Sequence, residues 1–245
     1  MVTSELPDCP EIELILNQRC FGYEVLRTLF LLEPSLELIK STSKIFNEDL
    51  FPFAELSQEI KEGVELITGY YSNHNSTDFN AQEELYTDYM RLFIGPGKVL
   101  VPLWESAYMN EDRLLFQKET LEVRKAYLKY NLMSPKFGQE PDDHLGLELD
   151  FLYELSKQAV ENYYEENIED IRYILEDQKA FLEEHLKKWV PLVSEKLINY
   201  AQTMYFRGLG RLLEGYAEVD QKILEYLLVK INGHTFHNKR RMVNE

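Results

Sequence analysis

Apolar residues recur every three to four positions along most of the chain, the spacing that lays one stripe down a helix. From Pro10 to about Leu32, the residues Ile12, Leu16, Tyr23, Leu26 and Phe30 share one side. Pro34 ends that run, because the residue before a proline disfavours helical angles. Ser35 is placed to cap a second helix that ends near Phe46. Pro52 opens a third, through Leu56, Ile60, Val64 and Ile67, which stops in the polar run SNHNSTD at 72–78. His74 lies in that run and reads as solvated. A fourth helix, from about Asn80 to Phe93, presents Leu85, Tyr86, Tyr89, Leu92 and Phe93 before Gly95-Pro96-Gly97, where the glycines permit a sharp turn.

Residues 98–109 read as extended, with Val101, Trp104 and Tyr108. Aromatics on a link between helices serve either as a lid on the core or as a recognition surface. A fifth helix covers about Arg113 to Tyr130, and NLMSPKFGQ at 131–139, with Pro135 and Gly138, is the best hinge. Further helices are expected from the segment after 140 to about Tyr164, from about Ile168 to Trp189, from Pro191 to Tyr205 and from Arg207 to Ile231. The tail from Asn232, which carries Lys239, Arg240 and Arg241, reads as frayed. No strand alternation or internal repeat is present, so the expectation is an all-α multi-helix bundle. Its parts are 1–130, the 131–139 hinge and 140–245, packed as one globular unit or as two helical subdomains.

The stretch EPDDHLGLELD at 140–150 organises the rest. Pro141 followed by two aspartates and an apolar-periodic run is a helix start: proline suits the first turn, and carboxylates complement the positive end of the dipole. Leu145, Leu149 and Leu152 continue it at helical spacing. His144 is not needed for that role. Next to Asp143 and four before Glu148, it sits where the helix terminus opposes an imidazolium and the carboxylates favour one.

Composition narrows the class. The chain has 245 residues, 44% of them hydrophobic, ample for a core. Against 43 acidic residues stand 26 basic ones, a net charge of −17, which repels nucleic acid and anionic membrane. Cys9 and Cys20 match no zinc spacing and make no disulfide framework. The acidic opening MVTSELPDCPEIE lacks the layout of a signal peptide, and no run reaches the roughly 18 apolar residues of a membrane span. These features lead to an expectation of a cytoplasmic protein with no stable membrane insertion.

Catalytic signatures are missing. GPGK lacks phosphate-loop spacing, no H-E-x-x-H or E-x-x-H occurs, and Ser106 has no nucleophile elbow. Asp143, His144 and Glu148 fall short of a metal's usual ligand count. His185 fits a structural histidine paired with a carboxylate, and Trp189 a core residue. The Arg240-Arg241 pair is no export signal, since that signal is N-terminal.

Three segments carry a resemblance. EPDDHLGLELDFL resembles the E-P-x-D-H signature of the TorD/DmsD family of cytoplasmic chaperones for molybdenum-containing redox enzymes. YMRLFIGPGKVLVPLWESAY at 89–108 resembles its aromatic-x-x-L-F-x-G-P and P-x-W-x-S-x-aromatic segments, and HLKKWVPLVSEKL at 185–197 its H-L-x-x-W element, followed by the run Tyr205–Gly210. The three stand in the family's order across about 86–215, while the first eighty residues match in helical character only.

The resemblance implies an all-α fold and a non-enzymatic role without a cofactor of its own. Members bind the twin-arginine leader and the apo form of a molybdoenzyme's catalytic subunit, assist cofactor insertion and hold back export until it is complete. It places Tyr89, Leu92, Phe93, Trp104 and Tyr108 along the apolar part of a leader groove. Ser106 anchors the loop, Pro141 sets the helix start, and Glu140 and Asp143 meet the arginines. His144 either hydrogen-bonds the peptide backbone or orients Asp143. Gly97 departs from relatives with an aromatic residue there, which implies a shallower or differently tuned groove. Domain-swapped dimers are known in the family, so monomer and swapped homodimer both stand. The alternatives are a metal-dependent or hydrolytic enzyme using Asp143, His144 and Glu148, and a nucleotide-binding regulator, since some relatives are linked to guanine nucleotides.

Overall fold

A computed structural model describes residues 10–74, 79–109, 116–134 and 140–242. Among them the elements are α1 (Pro10–Leu31), α2 (Leu36–Asn47), a 3-10 turn (Ala54–Leu56), α3 (Gln58–Asn73) and α4 (Phe79–Tyr89). Then come a π turn (Met90–Ile94), α5 (Ser106–Met109), α6 (Lys118–Lys129), α7 (Leu145–Tyr164) and α8 (Ile168–Phe181). A second π turn (Leu182–Leu186), α9 (Lys187–Tyr200) and α10 (Met204–Met242) complete the order. Among the described residues no strand forms, and the fold is all-α as expected. The only β-type pairing among them is an isolated antiparallel bridge between Trp104 and His144.

α1 packs along α7, and α3 along α10, which also borders α8 and α9. One apolar cluster takes in Leu26 of α1, Ile67 of α3, Leu152 of α7 and Leu224 of α10, so helices from both sides of 131–139 share a core. Residues 135–139 of that expected hinge lie outside the described residues, as do 110–115 at the expected start of the fifth helix. The α3–α10 contact is backbone against backbone. A Cβ on Gly208 would lie 2.7 Å from the Gly63 carbonyl oxygen, and one on Gly63 2.7 Å from the Leu212 nitrogen.

A buried ion pair ties three helices together. Arg19 of α1 donates to both carboxylate oxygens of Asp220 of α10, at 2.5 and 3.0 Å, and to Gln178 of α8 at 2.9 Å. The Tyr23 hydroxyl donates to Asp220 at 2.6 Å. The bidentate geometry and saturated acceptors offset the cost of burying both charges.

Several boundaries differ from the sequence expectation. Pro52 does not open α3: Phe53 takes a φ of 64°, and the helix begins at Gln58, where the Ser57 hydroxyl accepts from the Glu59 and Ile60 amides. Pro191 does not break a helix but sits inside α9. The preceding π turn ends at Lys187, whose N–H reaches back to the Leu182 carbonyl. That looser turn lies where the proline ring would crowd the carbonyl four residues earlier. The last helix does not stop at Ile231, and its backbone is helical to Met242.

Candidate functional site

The start of α7 is the main correction. The helix begins at Leu145, not at Pro141, and His144 is its N-cap: the Gly146 amide donates to His144 Nδ1 at 3.1 Å. That nitrogen accepts, so the ring proton belongs on Nε2, which faces Glu140 Oε1 at 3.9 Å. Pro141 and Asp142 are buried in the chain entering the helix.

Asp143 does not stand at the surface. Its side chain is 0% exposed, with Oδ2 accepting from the Ser106 amide at 2.8 Å and Oδ1 from the Thr120 hydroxyl at 2.6 Å. Asp142 takes Arg124 Nε at 2.6 Å, and its carbonyl accepts from the Tyr127 hydroxyl at 3.1 Å. An incoming arginine therefore cannot pair with Asp143 unless those bonds break.

The segment 98–109 is laced onto this junction. The Leu145 amide donates to the Leu103 carbonyl at 2.8 Å and the Glu105 amide to the Asp143 carbonyl at 3.0 Å. Those two bonds flank the Trp104–His144 bridge, where the rings meet edge to face at 5.4 Å. The segment is not extended throughout, for its last residues form α5.

The third motif closes the cluster. His185 Nδ1 lies 2.8 Å from Glu105 Oε2, and the Trp189 indole N–H donates to Glu148 Oε2 at 3.3 Å. All four side chains are buried. Glu148 Oε1 has no hydrogen-bond partner among the described residues. Burial, followed by the nearby Glu105 and Asp143 carboxylates, raises the Glu148 pKa well above 4.5, while the indole N–H acts the other way. The fold thus favours the neutral form of Glu148.

Of the expected groove residues, Leu92 and Phe93 are core. Tyr89 and Trp104 are half-buried. Burial raises the Tyr89 hydroxyl's pKa, with Glu33, Tyr86 and Glu140 adding to it. The charges of Glu33, on the α1–α2 link, and of Glu140 are both felt at Tyr89. The Trp104 indole nitrogen is shielded and has no hydrogen-bond partner among the described residues. Tyr108 faces elsewhere, stacking at a tilt on Trp189 and bonding the Pro102 carbonyl at 2.8 Å. It lines a groove of about 560 Å³ between residues 98–108 and α9.

Asp143, His144 and Glu148 are engaged separately, with Ser106 and Thr120, Gly146 and Trp189 respectively. Among the described residues no group of three or more histidine, cysteine, aspartate or glutamate side chains is arranged to hold a metal. No described helix is long and apolar enough to cross a membrane.

Sequence reasoning missed Glu105, Thr120, Arg124 and Glu33. Glu148 carried a signal: it falls three residues after Leu145 and four before Leu152, on the buried stripe itself.

The nitrate reductase delta subunit family model matches residues 53–195, a span holding the first two interlocked segments and the third as far as Glu195. The chain belongs to that family. It is 27% identical to the chaperone protein TorD of Aliivibrio salmonicida over 218 residues, covering 87% of this chain and 98% of that one. The TorD of Vibrio cholerae is 26% identical over 222 residues, 89% and 97% of the two chains. That of Aliivibrio fischeri is 26% identical over 181 residues, 74% and 80%. These relatives are named chaperones, a role without catalysis, in agreement with the reading that the chain is not an enzyme. The TorD/DmsD resemblance seen in the motifs is therefore a family membership.

Proposed function

We propose that the chain is a dedicated cytoplasmic chaperone for the catalytic subunit of a molybdenum-cofactor oxidoreductase. It binds the subunit's twin-arginine leader and apo form, assists cofactor insertion and delays export until the enzyme is mature. The observation that supports this reading is the convergence of the three family motifs on one junction, where Tyr89, Trp104 and Glu140 are partly exposed.

On this reading Glu140 and Glu33 receive the leader's guanidinium groups, and Tyr89 and Trp104 seat the apolar residues that follow. The unsatisfied Trp104 N–H is a donor for a peptide carbonyl once the ring shifts. His144 orients Glu140 through Nε2. Asp143, Ser106, Pro141, Leu92 and Phe93 act from within, fixing where Trp104 and Glu140 stand. Tyr108 anchors residues 98–109 from the opposite side.

The test is a titration of the purified chain with a synthetic twin-arginine leader peptide and with the same peptide carrying paired lysines. Lysine keeps the charge but not the planar fork, so the arginine peptide binds more tightly. Equal binding of both, or of neither, contradicts the reading.

A further inference from the structure

The groove beside Tyr108 has a chemistry that a basic leader does not match. Lys98, Leu100, Pro102, Tyr108, Leu192 and Lys196 line it. In a chain with 43 acidic and 26 basic residues, neither lysine forms an ion pair with a carboxylate among the described residues, although Glu195 is on the same wall. The Lys196 ammonium instead stands 6.0 Å from the Tyr108 ring centre and 5.8 Å from that of Tyr200. Leu192 and Tyr200 are exposed at the mouth.

The backbone of the same wall is also unpaired. Val101 donates to Leu92 and Leu145 donates to Leu103, but the amides and carbonyls of Val99 and Leu100 make no hydrogen bond among the described residues. The stretch bends at Lys98, Leu100 and Val101, so it offers single hydrogen-bonding groups and not a strand edge.

We propose that this groove docks a peptide segment of a partner protein that carries carboxylates beside apolar side chains. The apolar side chains pack between Leu100, Tyr108 and Leu192. The carboxylates meet Lys98 and Lys196. This site is separate from the leader face at Glu140 and does not depend on that reading. The two unpaired ammonium groups would repel a leader's basic start, so each surface selects its own segment.

The experiment uses the full chain and a short capped peptide of alternating leucine and aspartate, followed by fluorescence anisotropy. Controls carry lysine for aspartate or serine for leucine. The acidic apolar peptide binds and both controls bind more weakly. Lys98→Gln with Lys196→Gln weakens it roughly threefold to tenfold, as two partly exposed pairs would, without altering leader-peptide binding. Binding of the lysine peptide equal to that of the aspartate peptide overturns the proposal, as does indifference to the double substitution. So does pyrophosphate binding that is lost in the double variant while no peptide binds, since the groove then takes a small anion. A dimer in sedimentation that dissociates in the double variant assigns the groove to a second copy and overturns it too. Loss of leader binding alone counts against the leader reading and leaves this one standing.

Discussion

The Ser106 amide donates to the Asp143 carboxylate at 2.8 Å, across 37 residues of chain. This bond joins the P-x-W-x-S segment to the E-P-x-D-H segment, and it explains why a family signature contains an aspartate that no ligand can reach. Asp143→Ala leaves the Ser106 amide and the Thr120 hydroxyl without their acceptor inside the protein. We expect a loss of about 3 kcal/mol from two bonds to a charged group, read as a lower urea midpoint at unchanged slope. Leader binding weakens with it, because Trp104 precedes Ser106 by two residues. Asp143→Asn keeps one acceptor oxygen and loses less.

Glu148 gives a pH signature. Its folded pKa lies above its ordinary value near 4.5, so the fold favours the protonated acid. The associated stability is complete below the unfolded pKa and is lost as pH rises through the folded one. Glu148→Gln stays neutral throughout. Its stability relative to the parent should therefore rise with pH, measured by urea unfolding at a series of pH values. A difference that stays flat from acid to alkaline pH would contradict the raised pKa.

Arg19 and Asp220 are both 0% exposed. Arg19→Met strands a buried carboxylate and should cost about 3–5 kcal/mol. Adding Asp220→Leu removes the stranded charge and should recover much of that loss, although the Tyr23 hydroxyl then also loses its acceptor. Thermal unfolding of the two single variants and the double variant checks this, with strict additivity as the contrary result.

On the proposed leader reading, binding should be uneven across the face around Trp104. Trp104→Ala removes an aromatic anchor and should cost about 2 kcal/mol or more in leader affinity, against about 0–1 for an exposed glutamate such as Glu176 on α8. Equal losses in a peptide titration would contradict the map.

How much of this could be read in advance depended on whether a residue's role was local. Ser35 as a cap, the apolar stripes of α1, α2 and α7, and the buried Trp189 follow from spacing alone. The pairing of His185 with a carboxylate was legible in kind, but its partner Glu105 lies 80 residues away, and nothing local announces it. Arg19 sits three after Leu16 and four before Tyr23, on the apolar stripe, so its burial was legible although Asp220 was not. Pro141 and Asp143 misled because Pro-Asp-Asp satisfies the local rules for a helix start, while the tertiary bonds to Ser106, Thr120 and Arg124 hold that stretch outside the helix. Leu92 and Phe93 were read as groove residues because sequence cannot separate a buried aromatic face from a presented one.

The central claim is that the chain serves an immature molybdoenzyme through its leader. The most direct measurement is affinity purification of the tagged chain from its own cells, with mass spectrometry of what accompanies it. The account predicts a molybdoenzyme catalytic subunit that lacks its cofactor and still carries an uncleaved twin-arginine leader, recovered in smaller amount with Trp104→Ala. Absence of any redox-enzyme precursor, or equal recovery of the mature, cofactor-loaded enzyme, would contradict it.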